Sequence, residues 1–126
     1  MKSWAFILLI LVAGLGCSKS SSGEKDAVPP VITITTPTSG QNFTAGQTIQ
    51  MTGTITDDKY IAEVHIHVSN TNNGALLMDV HLYPGSSTTS FDQSITAVAG
   101  INYKIQVIAK DKAVNQTTVS TEVTCN

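Results

Sequence analysis

Three histidines and a small set of aspartates carry most of the chemical potential of this chain. His65 and His67 sit one residue apart in EVHIHV, residues 63–68, and His81 lies in MDVHLY, residues 78–83. On an extended strand, alternate side chains share a face and lie roughly 6.6 Å apart, while residues directly opposite on a neighbouring strand lie roughly 4.5–5.5 Å apart. If residues 61–68 and 75–83 form a hairpin turning near Asn73, His81 stands opposite His65. His65, His67 and His81 then share one outward face, an arrangement that suits Zn2+ with bonds of roughly 2.0–2.1 Å. Glu63 and Asp79 fall on the same face as outer partners of the rings. A slip of one residue would send His81 to the core side, and exposed strand positions call for polar residues with or without a metal.

A second set, Asp57, Asp58, Asp111 and Asn115, offers the hard oxygens that Ca2+ collects in sixes to eights. The same residue types cap turns through their own side chains, and the spacing is unlike an EF-hand loop. Catalysis finds little support: there is no nucleophile-elbow glycine pattern, no phosphate loop and no Cys-x-x-Cys. Asp57–Asp58 as a carboxylate pair for glycoside hydrolysis would need a cleft that so small a domain does not promise. The expectation is a chain that is not an enzyme, with Ca2+ or Zn2+ as the only cofactor candidates.

The N-terminus bears on where these residues work. Lys2 precedes an apolar run from Trp4 to about Ala13, then small residues up to Cys17. This run is short of the roughly 20 residues that a membrane-spanning helix needs and reads as a secretory signal peptide, residues 1–16. GLGC, residues 14–17, resembles a lipobox, with Leu15 and Gly14 swapped relative to the usual order. That resemblance implies a lipidated Cys17; plain cleavage after Gly16 or retention as an uncleaved anchor is the alternative. Residues 17–30 read as the lipidated cysteine and a Ser-, Gly- and Lys-rich flexible tether. Ser18 after the cysteine resembles lipoproteins that travel to the outer membrane of a Gram-negative bacterium, which implies a lipid-anchored cell-envelope location.

Removing the leader with Lys2 leaves six lysines and no arginine against nine carboxylates. That balance argues against nucleic acid, whose phosphates call for a basic stripe. With Cys17 acylated, Cys125 has no partner for an intramolecular disulfide. The remaining residues suffice for one core. A carbohydrate platform wants exposed rings. The only Trp, Trp4, lies in the leader, and only Tyr60 and Tyr83 are candidates near one end, so carbohydrate binding is not expected.

From residue 31 on, nearly every segment alternates with period two. The strands expected are 31–35, 47–56, 61–68, 75–83, 90–95, 102–111 and 117–125. The inward sides are Ile49, Met51, Gly53 and Ile55; Val64, Ile66 and Val68; Leu76, Met78, Val80 and Leu82; Tyr103, Ile105, Val107 and Ala109; and Val119, Thr121 and Val123. Seven short strands in one domain, residues 31–126, predict an all-β two-sheet antiparallel sandwich. Tyr103 stands at the start of the penultimate strand, the place of a tyrosine corner. DKAVN, residues 111–115, resembles the D-x-A-G-N turn of bacterial Ig-like domains, with Val114 where glycine is usual. ITDDKYIAEV, residues 55–64, resembles their link between the second and third strands. PPVITITTPTSGQNFTAGQTI, residues 29–49, resembles their first strand and the turn after it.

The family resembled is thus the bacterial Ig-like domains of small cell-envelope lipoproteins, which implies an immunoglobulin-like sandwich and names no ligand. In such a sandwich the loops near 57–58, 84–89 and 111–115 gather where the tether arrives. Residues 36–46, 69–75 and 97–102 gather at the far end. These loops, rich in Asn, Thr, Gly and Ser, are the expected contact surface for a protein partner. The membrane would be met only through the lipid anchor.

Overall fold

The computed structural model describes residues 26–126, so the expectations for residues 1–16 and for Cys17 lie outside the described residues. Among the described residues there are seven strands: β1 (Val31–Thr36), β2 (Asn42–Phe43), β3 (Thr48–Asn70), β4 (Leu76–Leu82), β5 (Ser86–Thr96), β6 (Asn102–Asp111) and β7 (Gln116–Cys125). All pairings are antiparallel except the short one between β2 and β7. The chain has the expected all-β, Ig-like architecture, with one difference in how the layers connect.

The expected strands 47–56 and 61–68 are one continuous extended segment, β3. Its first part, Thr48–Thr56, pairs with β1 on one side and β5 on the other. Its second part, Ile61–Asn70, pairs with β4 and β6. The register shifts between Thr56 and Ile61 in the β5 pairing, and there the chain passes from one layer to the other. The seven strands are therefore one curled sheet folded over at β3. The alternation changes phase at this corner, with odd-numbered inward positions through Ile55, exposed Asp58–Tyr60, and even-numbered inward positions from Val64, which is why the sequence pattern alone suggests two separate strands. Residues 42–43, read in the sequence as part of a turn-rich stretch, form β2 beside the end of β7, where Asn42 pairs with Thr124 and Phe43 with Cys125.

Inward residues from both layers fill the interior in two clusters. Near the β3 corner lie Ile32, Ile55, Ile61, Val64, Ile66, Phe91, Val107 and Ala109. Toward the other end lie Phe43, Ile49, Met51, Val68, Ala97, Tyr103, Ile105, Val123 and Cys125. The expected inward faces hold with one exception. Leu76 is 58% exposed, because a register shift pairs Val68 with Met78 but Ser69 with Leu76. The extra residue in the bulge turns the start of β4 outward. Tyr103 is buried and its hydroxyl accepts a hydrogen bond from the Val98 backbone N–H at 2.8 Å. The penultimate strand is thereby tied to the loop before it, as in a tyrosine corner.

Gly53 sits inside β3 where glycine costs strand stability, and the packing explains its place. It pairs with Phe91 on β5 and Ile34 on β1. A Cβ at residue 53 would lie 2.6 Å from Cε1 of Phe91 and closer still to the Thr33 carbonyl oxygen. The bare backbone gives the Phe91 ring its seat. Gly53→Ala is expected to lower stability by about 1–3 kcal/mol, read as a fall in the denaturant midpoint. An unchanged midpoint would show that the ring and β1 can move aside freely.

Candidate functional site

Two groups of side chains are brought together, one on the outer face of β3 and β4 and one at the β3 corner. On the outer face, His65 pairs directly with His81 and His67 with Asp79. The inward set Val64, Ile66 and Val68 is fully buried, so strict alternation turns Glu63, His65 and His67 outward. His65 and His81 are stacked with ring centroids 3.9 Å apart, and His67 lies 5.7 Å from His65 and 6.5 Å from His81. One ring nitrogen from each histidine lies within 4.8 Å of the other two.

Carboxylates hold the rings. Asp79 Oδ1 is 3.1 Å from His67 Nε2 and 2.9 Å from His81 Nε2, so one acidic oxygen serves two imidazoles. Glu63 is hydrogen-bonded to His65. That bond, more than the opposing cost of desolvation, holds the Glu63 carboxyl below its ordinary range, and the charge of Lys110 adds to the effect. Lys110 faces Glu63 directly from β6. The histidines are half-buried to exposed, with side-chain exposures of 26% for His65, 31% for His67 and 41% for His81, so the face is open to solutes.

At the corner, three carboxylates meet: Asp57, Asp111 and Asp26. Asn115 joins them, donating from its side chain to Asp111 Oδ2 at 2.8 Å and to the Asp26 carbonyl oxygen at 2.7 Å. Asp58, expected in this group, stands outside it. Neighbours on an extended chain point to opposite sides, so Asp57 turns in and Asp58 stays exposed. Desolvation, and then the charges of Asp26 and Asp57, push the Asp58 carboxyl up. Asp26 lies in the segment that reads as tether, and no spacing signal marks it out; only the fold brings it to the turn.

Most of this corner is explained by local backbone needs. Asp57 Oδ2 accepts the N–H groups of Lys59 and Tyr60, capping the turn. Asp57 Oδ1 is buried without a partner among the described residues. Asp111 is buried. Burial alone would raise its pKa, but hydrogen bonds from the Asn115 side chain and backbone, with one from the Ala113 backbone, outweigh this and lower it. Nearby, the Lys112 ammonium lies 5.6 Å from the Tyr60 ring centre.

The comparisons agree with this architecture. Residues 30–123 match the model of the bacterial Ig domain family. The chain belongs to that family. Among solved structures it is similar to the fibronectin(III)-like modules of CbhA from Clostridium thermocellum, at 24% identity and a TM-score of 0.55, over 79% of this chain and 47% of that one. The chain thus spans about half the length of that structure. It is similar also to the superoxide reductase (neelaredoxin) from Ignicoccus hospitalis, at 12% identity and a TM-score of 0.51, over 78% of this chain and 80% of that one. At these identities the likeness is one of fold. No curated protein matches the chain.

Family membership makes the 111–115 turn informative. Val114 adopts φ 70°, the left-handed region that glycine takes freely and a β-branched residue resists. Its side chain is 71% exposed, so no packing offsets the strain. Val114→Gly is expected to raise stability by about 1 kcal/mol, seen as a higher melting midpoint; a lower midpoint would refute the strain.

Asp111 gives an acid limb to stability. A folded-state pKa below the ordinary 3.8 means that its stabilisation is complete above that value and is lost as the pH falls through the folded value. The native melting midpoint should drop below about pH 4 more steeply than that of Asp111→Asn. Parallel curves would remove Asp111 from the account.

Proposed function

We propose that this chain is a non-enzymatic cell-envelope lipoprotein, held through a lipid on Cys17, whose Ig-like domain makes contact with a protein partner through the loops far from its tether. The observation that carries the reading is the division of the domain into two ends. At one end, residues preceding β1 are fastened to the β6–β7 turn: Asn115 binds the Asp26 carbonyl, and Thr117 binds the Pro30 carbonyl. At the other end, the loops form a joined surface. Thr71 N–H donates to Asn102 O at 2.9 Å, Asn72 Nδ2 to Gly100 O at 3.0 Å, and Gly46 N–H to Ala97 O at 2.9 Å. Loops fixed to one another on a rigid sandwich lose little freedom on binding, which favours recognition.

Ig-like and fibronectin(III)-like folds commonly serve as structural or interaction modules, which supports the non-enzymatic part of the reading. The signal-like run before Cys17 and the composition after it support the anchor. A metal-stabilised module is the second reading. For the histidines it is favoured by the convergence of His65, His67 and His81. For calcium, the capping roles of Asp57 and Asp111 already account for most of the carboxylate oxygens at the corner.

Two measurements test the proposal. In cells, the native chain should fractionate with membranes and carry an acyl mass increase at Cys17, and Cys17→Ser should lose both; unchanged partitioning overturns the anchor. A photocrosslinking residue at Asn73, in the far loops, should give a discrete protein adduct that the same residue at Lys112 does not. Equal yields at both positions overturn the far-end surface.

A further inference from the structure

We propose that His65, His67 and His81 form a binding site for a divalent transition-metal ion of the zinc class, one that clamps the edge strand β4 to β3. The inference goes beyond the anchored interaction module and stands or falls apart from it.

Three features of the face carry it. First, the register leaves no freedom in who meets whom: His65 lies opposite His81, and His67 lies diagonal to it, opposite Asp79. The donor nitrogens are already within 4.8 Å of one another. Tetrahedral zinc with bonds of about 2.0–2.1 Å holds its ligand atoms roughly 3.3 Å apart, so side-chain rotation closes the remaining gap and the strands stay where they are. Second, His67 Nε2 and His81 Nε2 both point at one spot, marked by Asp79 Oδ1 at 3.1 and 2.9 Å. These are hydrogen-bond separations, so the two nitrogens already converge on one carboxylate oxygen. Asp79 can turn aside to orient the rings, as carboxylates beside metal-bound imidazoles do.

Third, the charge on the face suits a dication. Glu63 and Asp79 are the acidic groups beside the rings. Lys110 is the positive group facing Glu63 from β6, and that carboxylate balances it, leaving Asp79 for the ion. Three imidazoles select a borderline metal over Ca2+ or Mg2+, which prefer oxygen. Three protein ligands on an open face leave a further coordination position to solvent. The mechanical consequence follows from the topology: among the described residues β4 pairs with β3 alone, and its inward residues Met78, Val80 and Leu82 are only half-buried. An ion bound to two β3 residues and one β4 residue is a cross-link across that edge pairing.

The test is calorimetric titration of the untagged full-length chain in detergent with Zn2+ alone, beside His67→Ala, His81→Gln and Asp57→Asn variants whose circular dichroism matches the native chain. The expected result is one Zn2+ per chain, affinity reduced at least tenfold in each histidine variant, and no loss in Asp57→Asn. Amide hydrogen exchange of β4 should slow on adding Zn2+ to the native chain and not to His81→Gln. Zinc heats indistinguishable between the native chain and His67→Ala overturn the site, as does loss of binding in Asp57→Asn alone. Calcium heats that His67→Ala removes overturn the zinc-class assignment, and unchanged exchange in β4 at saturating Zn2+ overturns the clamp.

Discussion

One extended segment, β3, is hydrogen-bonded to four other strands, and the rest of the molecule depends on its continuity. Its first half holds β1 and β5 and its second half holds β4 and β6. The passage from Thr56 to Ile61 therefore fixes how the two layers face each other. The passage must cross between layers without leaving buried backbone groups unpaired. Asp57 meets part of that need by accepting the N–H groups of Lys59 and Tyr60. The corner aspartates are thus first of all a solution to a folding problem.

The same strand generates the chemical face. Burial of Val64, Ile66 and Val68 leaves their neighbours no choice of side, so the positions of His65 and His67 follow from the hydrophobic core. The pairing with β4 adds His81, and the bulge at Ser69 and Leu76 falls beyond the histidines, so the register through Val64–Leu82 and His67–Asp79 is unbroken. Packing in the interior and ligand geometry on the surface are here two readings of one alternation.

Much of this was legible in the residues. Period-two alternation located the strands and almost every inward side, and Tyr103 signalled its corner. Turn composition around Asn73 was enough to suggest His81 opposite His65. What was hidden has physical reasons. Two-residue β2 has no period to detect, and the alternation in β3 changes phase at its bend, so one continuous strand reads as two. Leu76 is apolar and in phase, and only a bulge set by the partner strand turns it out. Asp26 and Asp111 are far apart in the chain, and their meeting depends on where the segment before β1 lies. Asp58 has the right chemistry for the corner, but the direction of its side chain is a property of the backbone there.

The docking of residues 26–30 also sets a length. Composition alone suggested a leash of all the residues between Cys17 and Pro30. With the Asp26 and Pro30 carbonyls fastened to Asn115 and Thr117, a chain anchored at Cys17 has only residues 18–25 left to extend. Fully extended, that stretch spans about 30 Å. Under the proposed anchor, the near end of the sandwich would stay within about one bilayer thickness of the lipid surface, and the far loops would reach about a further strand length, roughly 30 Å, beyond it.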